Sequence, residues 1–323
     1  MTNQFSRRQV LKLGVAAPAV LALSAVNIPA AAASTVHRAS MANMLLPGVP
    51  SRKKGVSLVV PKTPFTNPTP SLPYADRVLS LNPAWYYTWG PAGISGVQHV
   101  EFVPMVWGGE NNVQAQIAAV KALGPGKVPI VLGPNEPDNV GQSNMTVDEV
   151  IAVWPEISKL AALTVAPAPV HPFPPSGIWL PQFVAAAKEL HYHFNYIAVH
   201  AYPGNDPAGF LAEIDQTYEM YGLPIWITEF AVADWQASKT SPNIYTPDDV
   251  VGFMEAVLPA LEARPHVARY AWFGAGPAAA TSLPLGPSAL FDVHGDMTTP
   301  GTYYAQFQAT IANPVQAGGA ESR

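Results

Sequence analysis

Two glutamates, each at the end of an apolar run, carry the chemistry this sequence offers. Glu136 follows the run in Val128-Pro129-Ile130-Val131-Leu132-Gly133-Pro134-Asn135-Glu136-Pro137-Asp138, and Glu229 stands near the end of Pro224-Ile225-Trp226-Ile227-Thr228-Glu229-Phe230-Ala231. Both runs are short, rich in Val and Ile and nearly continuous, the pattern of a strand buried on both faces. Two carboxyl groups presented together are what cleavage of a glycosidic bond needs: one protonates the leaving oxygen, the other attacks or stabilises the anomeric centre. Asn135 sets an amide beside Glu136, within reach of a sugar 2-hydroxyl or of the second carboxylate. His200 and Tyr202 end another apolar run, and a Tyr202 hydroxyl bonded to Glu229 would help keep that carboxylate ionised. Trp89, Trp107 and Trp272 lie at or near the ends of three further runs, where an indole can cover the apolar C–H face of a pyranose. Taken singly, each of these residues has a plain structural reading as a turn carboxylate or a core aromatic. The pairing of two glutamates in matching positions on two strands is what selects the chemical reading.

Such a site needs strands that all point the same way. Eight apolar runs read as strands, at 55–60, 84–90, 101–108, 128–132, 163–168, 196–202, 224–231 and 267–274. Amphipathic stretches between most of them read as helices, at 74–81, 113–123, 146–163, 179–190, 209–221, from 246 onward, and at 300–311. Thr146 with Glu149 forms a capping-box pattern, Gly222 closes a helix, and Thr246-Pro247 opens one. Eight strand–helix units argue for an α/β fold of the (β/α)8 TIM-barrel type, whose reactive residues sit at the C-terminal ends of the strands. A doubly wound open sheet is the rival. It calls for a glycine-rich loop after the first strand, and Val60-Pro61-Lys62-Thr63 is none.

The 323 residues are 49% apolar and 12% charged, with a formal net charge of −5, so neither nucleic acid nor an anionic membrane surface is an expected partner. The absence of cysteine excludes a disulfide framework, a thiol nucleophile and a thiolate metal site. Ser6-Arg7-Arg8-Gln9-Val10-Leu11-Lys12, an apolar segment to about Val26 and the run Pro29-Ala30-Ala31-Ala32-Ala33-Ser34 read as a cleavable twin-arginine signal. The expected organisation is a signal peptide at 1–33, a linker at 34–54, a catalytic barrel at 55–311 and a tail at 312–323. Export to the periplasm or the exterior follows, with no membrane attachment after cleavage.

Five segments taken in order resemble glycoside hydrolase family 128, the Asl1-like catalytic domain. They are Trp85-Tyr86-Tyr87-Thr88-Trp89, Gly133-Pro134-Asn135-Glu136-Pro137-Asp138, Ile197-Ala198-Val199-His200-Ala201-Tyr202, Trp226-Ile227-Thr228-Glu229-Phe230, and Asp292 to Gly301 with Tyr304. The resemblance implies a retaining endo-β-1,3-glucanase with Glu136 as acid/base, Glu229 as nucleophile and a β-glucan as substrate. Two departures bear on subsites. Ala201 stands where a Trp is usual, and the segment from Pro277 to Pro287 lengthens the loop after the eighth strand. Three alternatives remain: a barrel glycosidase for another β-glucan linkage, a non-catalytic β-glucan-binding protein, and a metal-dependent hydrolase built on His191-Tyr192-His193. The reading favoured here expects a monomer that uses no metal and no cofactor.

Overall fold

The computed structural model describes residues 50–58, 72–109, 112–124 and 126–309. The expected signal peptide, most of the linker, most of the proline-rich loop at 61–73 and the 312–323 tail lie outside the described residues. In chain order the elements are β1 (Lys54–Ser57), α1 (Leu72–Ser80), β2 (Trp85–Tyr87), β3 (Glu101–Phe102), α2 (Val113–Ala122), β4 (Ile130–Leu132), α3 (Val147–Ile157), β5 (Leu163–Val165), α4 (Trp179–Glu189) and β6 (Ile197–Ala201). They continue with α5 (Pro207–Tyr221), β7 (Ile225–Phe230), α6 (Pro247–Ala263), β8 (Val267–Phe273), a short α7 (Pro277–Thr281), a 3-10 turn (Gly286–Ser288) and α8 (Thr299–Gln306).

Every strand pairing is parallel, and the strands follow one another round a ring. One ladder runs β3-β2-β1-β8-β7-β6, and β4 pairs with β5. Single parallel bridges make the two remaining joins, Met105 to Leu132 between the β3 and β4 chains and Val165 to Tyr196 between β5 and β6. The Leu132 amide donates to Pro104 at 3.0 Å and the Ala166 amide to Tyr196 at 2.9 Å, so both joins carry real hydrogen bonds. The barrel is thereby closed and leaves no free edge.

Side chains alternate between two apolar layers. Trp85, Tyr87, Val103, Ile130, Leu132, Ala198, Trp226 and Ala271 fill the barrel. Tyr86, Val131, Ile197, Val199, Ile225, Ile227, Tyr270 and Trp272 face the helices. Gly55 is small because the Trp85 ring occupies the space of its missing side chain: a Cβ there would lie 2.2 Å from that ring. Trp85 and Trp226 meet at 4.9 Å inside the barrel, and the Arg269 guanidinium lies 4.6 Å from the Trp226 ring while pairing with Glu101 at 2.7 Å. These side chains fill the barrel at its N-terminal end, and the open end is the C-terminal one.

The helix signals of the sequence correspond to real caps. Thr146 and Glu149 form a reciprocal capping box on α3, and Thr246 with Asp249 does the same on α6. Gly222 closes α5 at φ 67, a left-handed angle that suits glycine. Some boundaries differ from the sequence reading. α3 ends at Ile157 and α8 at Gln306, both earlier than expected. Lys54, assigned to the linker, opens β1 and is buried. Its ammonium donates to the carbonyls of Tyr304 at 2.8 Å and Phe307 at 3.1 Å, at the C-terminus of α8. Lys53 does the same for Leu261, Glu262 and Arg264 at the end of α6. Each lysine puts positive charge where carbonyls are unpaired and the helix dipole is negative. The segment Pro277 to Pro287 forms α7 and the start of the 3-10 turn, and its Leu283 and Pro284 carbonyls accept hydrogen bonds from Asn243 and Asp234 of the β7–α6 connection.

Candidate active site

Both glutamates reach the open end of the barrel, by different backbone devices. β4 runs out at Leu132, and Gly133 lets the chain pass close to β5: a Cβ there would sit 2.9 Å from the Val165 carbonyl. The next residues are laced to both neighbours. The Asn135 amide donates to Trp107 at 3.0 Å and the Glu136 amide to Ala168 at 2.7 Å. Glu136 itself has φ 40, a left-handed backbone costing about 1–3 kcal/mol for a non-glycine residue and held only because those bonds over-determine it.

Glu229 owes its direction to a bulge. Ile225 faces the helices, Trp226 the barrel and Ile227 the helices. Strict alternation would then send Thr228 inward and Glu229 outward. The register slips between Ile227 and Phe230 against β8, and on the other side Val199 pairs with Ile227 while His200 pairs with Glu229. The extra residue returns Phe230 to the helix side and leaves Glu229 facing the barrel mouth. The Thr228 carbonyl, displaced from the ladder, accepts the Tyr87 hydroxyl at 2.9 Å.

His200 lies between the two carboxylates. Its Nδ1 is 3.1 Å from Glu136 Oε1 and its Nε2 is 3.6 Å from Glu229 Oε1, with the imidazole buried. One oxygen of Glu136, one of Glu229 and a His200 nitrogen all lie within 4.8 Å of one another. Burial pulls the imidazole down, but the Glu229 charge and the Glu136 hydrogen bond and charge outweigh it, so His200 holds its proton above the ordinary histidine range. Glu229 is pushed above the usual carboxylate range by burial and by the Glu136 charge. The charge of His200 and the hydrogen bonds from Tyr202 and Trp89 pull it part of the way back.

The remaining predicted residues divide. Tyr202 donates to Glu229 Oε2, and Trp89 Nε1 donates to Glu229 Oε1 at 2.7 Å. Trp89 has φ 55, and that backbone turn is what brings its N–H inward. Trp89 therefore joins the site through its polar edge, which is committed to a carboxylate. Asn135 gives its amide nitrogen to Gln142 at 3.3 Å, while its Oδ1 is buried without a partner. Trp107 stays partly open next to the Glu136 turn. Trp272 does not join the site. It is fully buried, packs on Phe230 at 4.9 Å and donates its indole N–H to Ser288 at 2.9 Å. The error is one residue of phase: Ala271 faces the barrel, Trp272 the helices, and Phe273 comes to the mouth, edge-on to Trp89 and Tyr202 at 5.7 Å each.

Three contacts have no role in the sequence reading. Asn139 donates to Glu136 Oε2 at 3.0 Å from the turn that follows it. Tyr87 approaches Glu229 Oε1 at 3.4 Å, and its place two residues before Trp89 on an inward face was a usable signal. Trp235, on the loop after β7, meets Tyr202 edge-on at 5.7 Å. Tyr87 and Tyr202 are held well above the ordinary phenol range, by burial first and the Glu229 charge second, so they remain donors.

Glu136, His200 and Glu229 are also the one group among the described residues with the composition of a metal site. All four carboxylate oxygens, however, already face a protein hydrogen-bond partner, a donor-rich shell that suits two carboxylates better than a cation. His191 and His193 lie at the opposite end of β6, lining a shallow cavity with Lys188, Tyr192 and Phe194 and with no carboxylate. The metal-hydrolase alternative loses its acidic ligands there.

Known proteins resemble this chain in sequence and in fold. The family model described as "Glycosyl hydrolase catalytic core" matches residues 55–304. Alkali-sensitive linkage protein 1 of Schizosaccharomyces pombe is 29% identical over 245 residues, 73% of this chain and 43% of that protein. The chain thus spans less than half the length of that curated relative. A family 128 subgroup I endo-β-1,3-glucanase from Amycolatopsis mediterranei, solved with laminarihexaose, superposes with a TM-score of 0.65 at 27% identity, covering 79% of this chain and 99% of that one. A subgroup II endo-β-1,3-glucanase from Pseudomonas viridiflava gives 0.60 at 28%, covering 80% and 99%. A subgroup VII oligosaccharide-binding protein from Trichoderma gamsii gives 0.61 at 21%, covering 80% and 94%, a likeness of fold alone.

Proposed function

Because this chain belongs to the glycosyl hydrolase catalytic core family, we propose that it is a retaining endo-β-1,3-glucanase with Glu229 as nucleophile and Glu136 as acid/base. The observation that carries the reading is the closeness of the two carboxylates, one oxygen of each lying within 4.8 Å of the other. Retaining enzymes hold their carboxyl groups about 5–5.5 Å apart, and inverting enzymes need about 6.5–9.5 Å to admit a water.

In this mechanism Glu229 attacks the anomeric carbon while Glu136 gives its proton to the departing glycosidic oxygen. A covalent glycosyl ester on Glu229 results. Glu136, now a carboxylate, takes a proton from water, which attacks the same carbon and expels Glu229. Tyr202 and Trp89 hold both Glu229 oxygens at fixed positions, as attack and departure along one line require. His200 sets the rotamer of Glu136 and lowers the cost of placing two carboxylates so close.

The β-1,3 linkage is proposed from the family 128 glucanases, which this chain resembles at 27–28% identity. Among the described residues no helix is long and apolar enough to cross a membrane. We further propose twin-arginine export with cleavage after Ala33 and a monomeric secreted or periplasmic enzyme, to be checked by N-terminal sequencing of exported protein.

The decisive test is product analysis on defined β-1,3-, β-1,4- and β-1,6-glucans, with the anomeric proton followed by NMR. Internal cleavage of laminarin with the β-anomer formed first is expected. Glu229→Gln is expected to abolish turnover and leave laminari-oligosaccharide binding. An α-anomer as first product would overturn the retaining mechanism.

A further inference from the structure

Eight tryptophans occur in the chain, and all lie among the described residues. Trp85, Trp154, Trp226 and Trp272 are at most 1% exposed and Trp179 is 7% exposed, while Trp89 and Trp107 are half-buried. Trp235 alone is open, at 41%. It is also the one that stands on a loop at the barrel mouth without any hydrogen bond to the site.

Its place is fixed from both sides. The Ala233 amide donates to Pro203 at 3.0 Å and the Asp234 amide to Pro284 at 3.0 Å. The Asp234 carboxylate accepts from the amides of Gln236 and Ile244, each at 3.0 Å, and closes the 234–244 loop on itself. Asn243 ties that loop to the carbonyls of Leu283 and Pro284 after β8. The indole lies nearly perpendicular to the Tyr202 ring at 5.7 Å, and the Tyr202 hydroxyl is bonded to Glu229. The ring is thus one side chain removed from Glu229, on a backbone held by the loops after β7 and β8.

We propose that Trp235 is a sugar-stacking residue, forming a subsite that takes a pyranose unit of a bound glucan beyond the residue held at the carboxylates. The proposal rests on the glucanase reading above. An indole stacks on the C–H face of a pyranose, and this one is exposed on a backbone held by the hydrogen bonds above, so little ordering entropy opposes binding. The same anchoring explains why the loops after β7 and β8 are cross-tied. A platform on a slack loop would lose the contact it makes.

Glu229→Gln and Glu229→Gln/Trp235→Ala proteins should be titrated with laminari-oligosaccharides of three to six units and with the matching cello-oligosaccharides. Loss of the ring is expected to weaken the longest laminari-oligosaccharide about tenfold, about 1.4 kcal/mol, and the shortest much less. Trp235→Phe should recover part of that loss. In the active enzyme Trp235→Ala should raise KM for long chains and leave kcat and the thermal melt in place. A residue that merely braces Tyr202 would instead lower kcat on every substrate, an aryl β-glucoside included. Equal affinities for all lengths with and without Trp235, or a fall in kcat alone, would overturn the platform. If Glu229→Gln binds only the cello series, the linkage reading falls and the same comparison on that series judges Trp235. If it binds neither series, both proposals fall.

Discussion

Replacing Trp89 by Phe removes the indole N–H together with part of the ring and leaves a smaller aromatic ring against Tyr87 and Phe273. The bond lost is the 2.7 Å donor to Glu229 Oε1. That oxygen is then left with the Tyr87 hydroxyl at 3.4 Å, already bonded more closely to Thr228, and His200 Nε2 at 3.6 Å. Neither is short enough to replace it. A hydrogen bond to a charged group contributes about 1.5–3 kcal/mol. The bond favours the ionised form, so its loss raises the Glu229 pKa further above the usual carboxylate range. Glu229 must be ionised to attack, so the acidic limb of the kcat/KM profile should move to higher pH. The assay is a pH–rate profile on laminarin for wild type and Trp89→Phe, with a thermal melt beside it. An acidic limb that stays in place, with an unchanged rate, would show that the indole N–H does not act on the carboxylate.

Two further predictions concern the scaffold. Trp272→Ala should cost about 3–5 kcal/mol of stability, measured by urea unfolding, because it empties a fully buried indole site; a folded variant with wild-type stability and lost glucan affinity would return Trp272 to the cleft. Lys54 is lowered to about 8, chiefly by burial, with the Glu262 charge opposing. The unfolded chain keeps this proton up to about pH 10.4, so the folded state gains stability from this group as pH rises above 8 and lacks that gain below it. Wild type should therefore gain about 2–3 kcal/mol over Lys54→Met between pH 7 and pH 10, and a flat difference would mean that the lysine is solvated.

Much of this protein is written locally. Eight parallel strands are legible because a strand buried on both faces must be continuously apolar, and capping motifs such as Thr146 with Glu149 act within four residues. The end of the strand that should hold chemistry is equally legible, since in a closed barrel only the C-terminal loops converge. That places Glu136, His200, Tyr202 and Glu229 together from the sequence alone. What the sequence alone does not decide is direction. The bulge at Thr228 turns Glu229 inward, and a period of two carries no trace of it. The same arithmetic, one residue out of phase, puts Trp272 in the helix layer and Phe273 at the mouth. Trp89 reaches Glu229 through a left-handed backbone angle that only the packed strands around it can impose. Lys54 looks like the end of a polar linker until the chain closes and brings it, 250 residues along the chain, to the carbonyls of α8. Local pattern fixes which groups the strand ends present. Long-range hydrogen bonds and ring packing, which have no period in the sequence, fix where each one points.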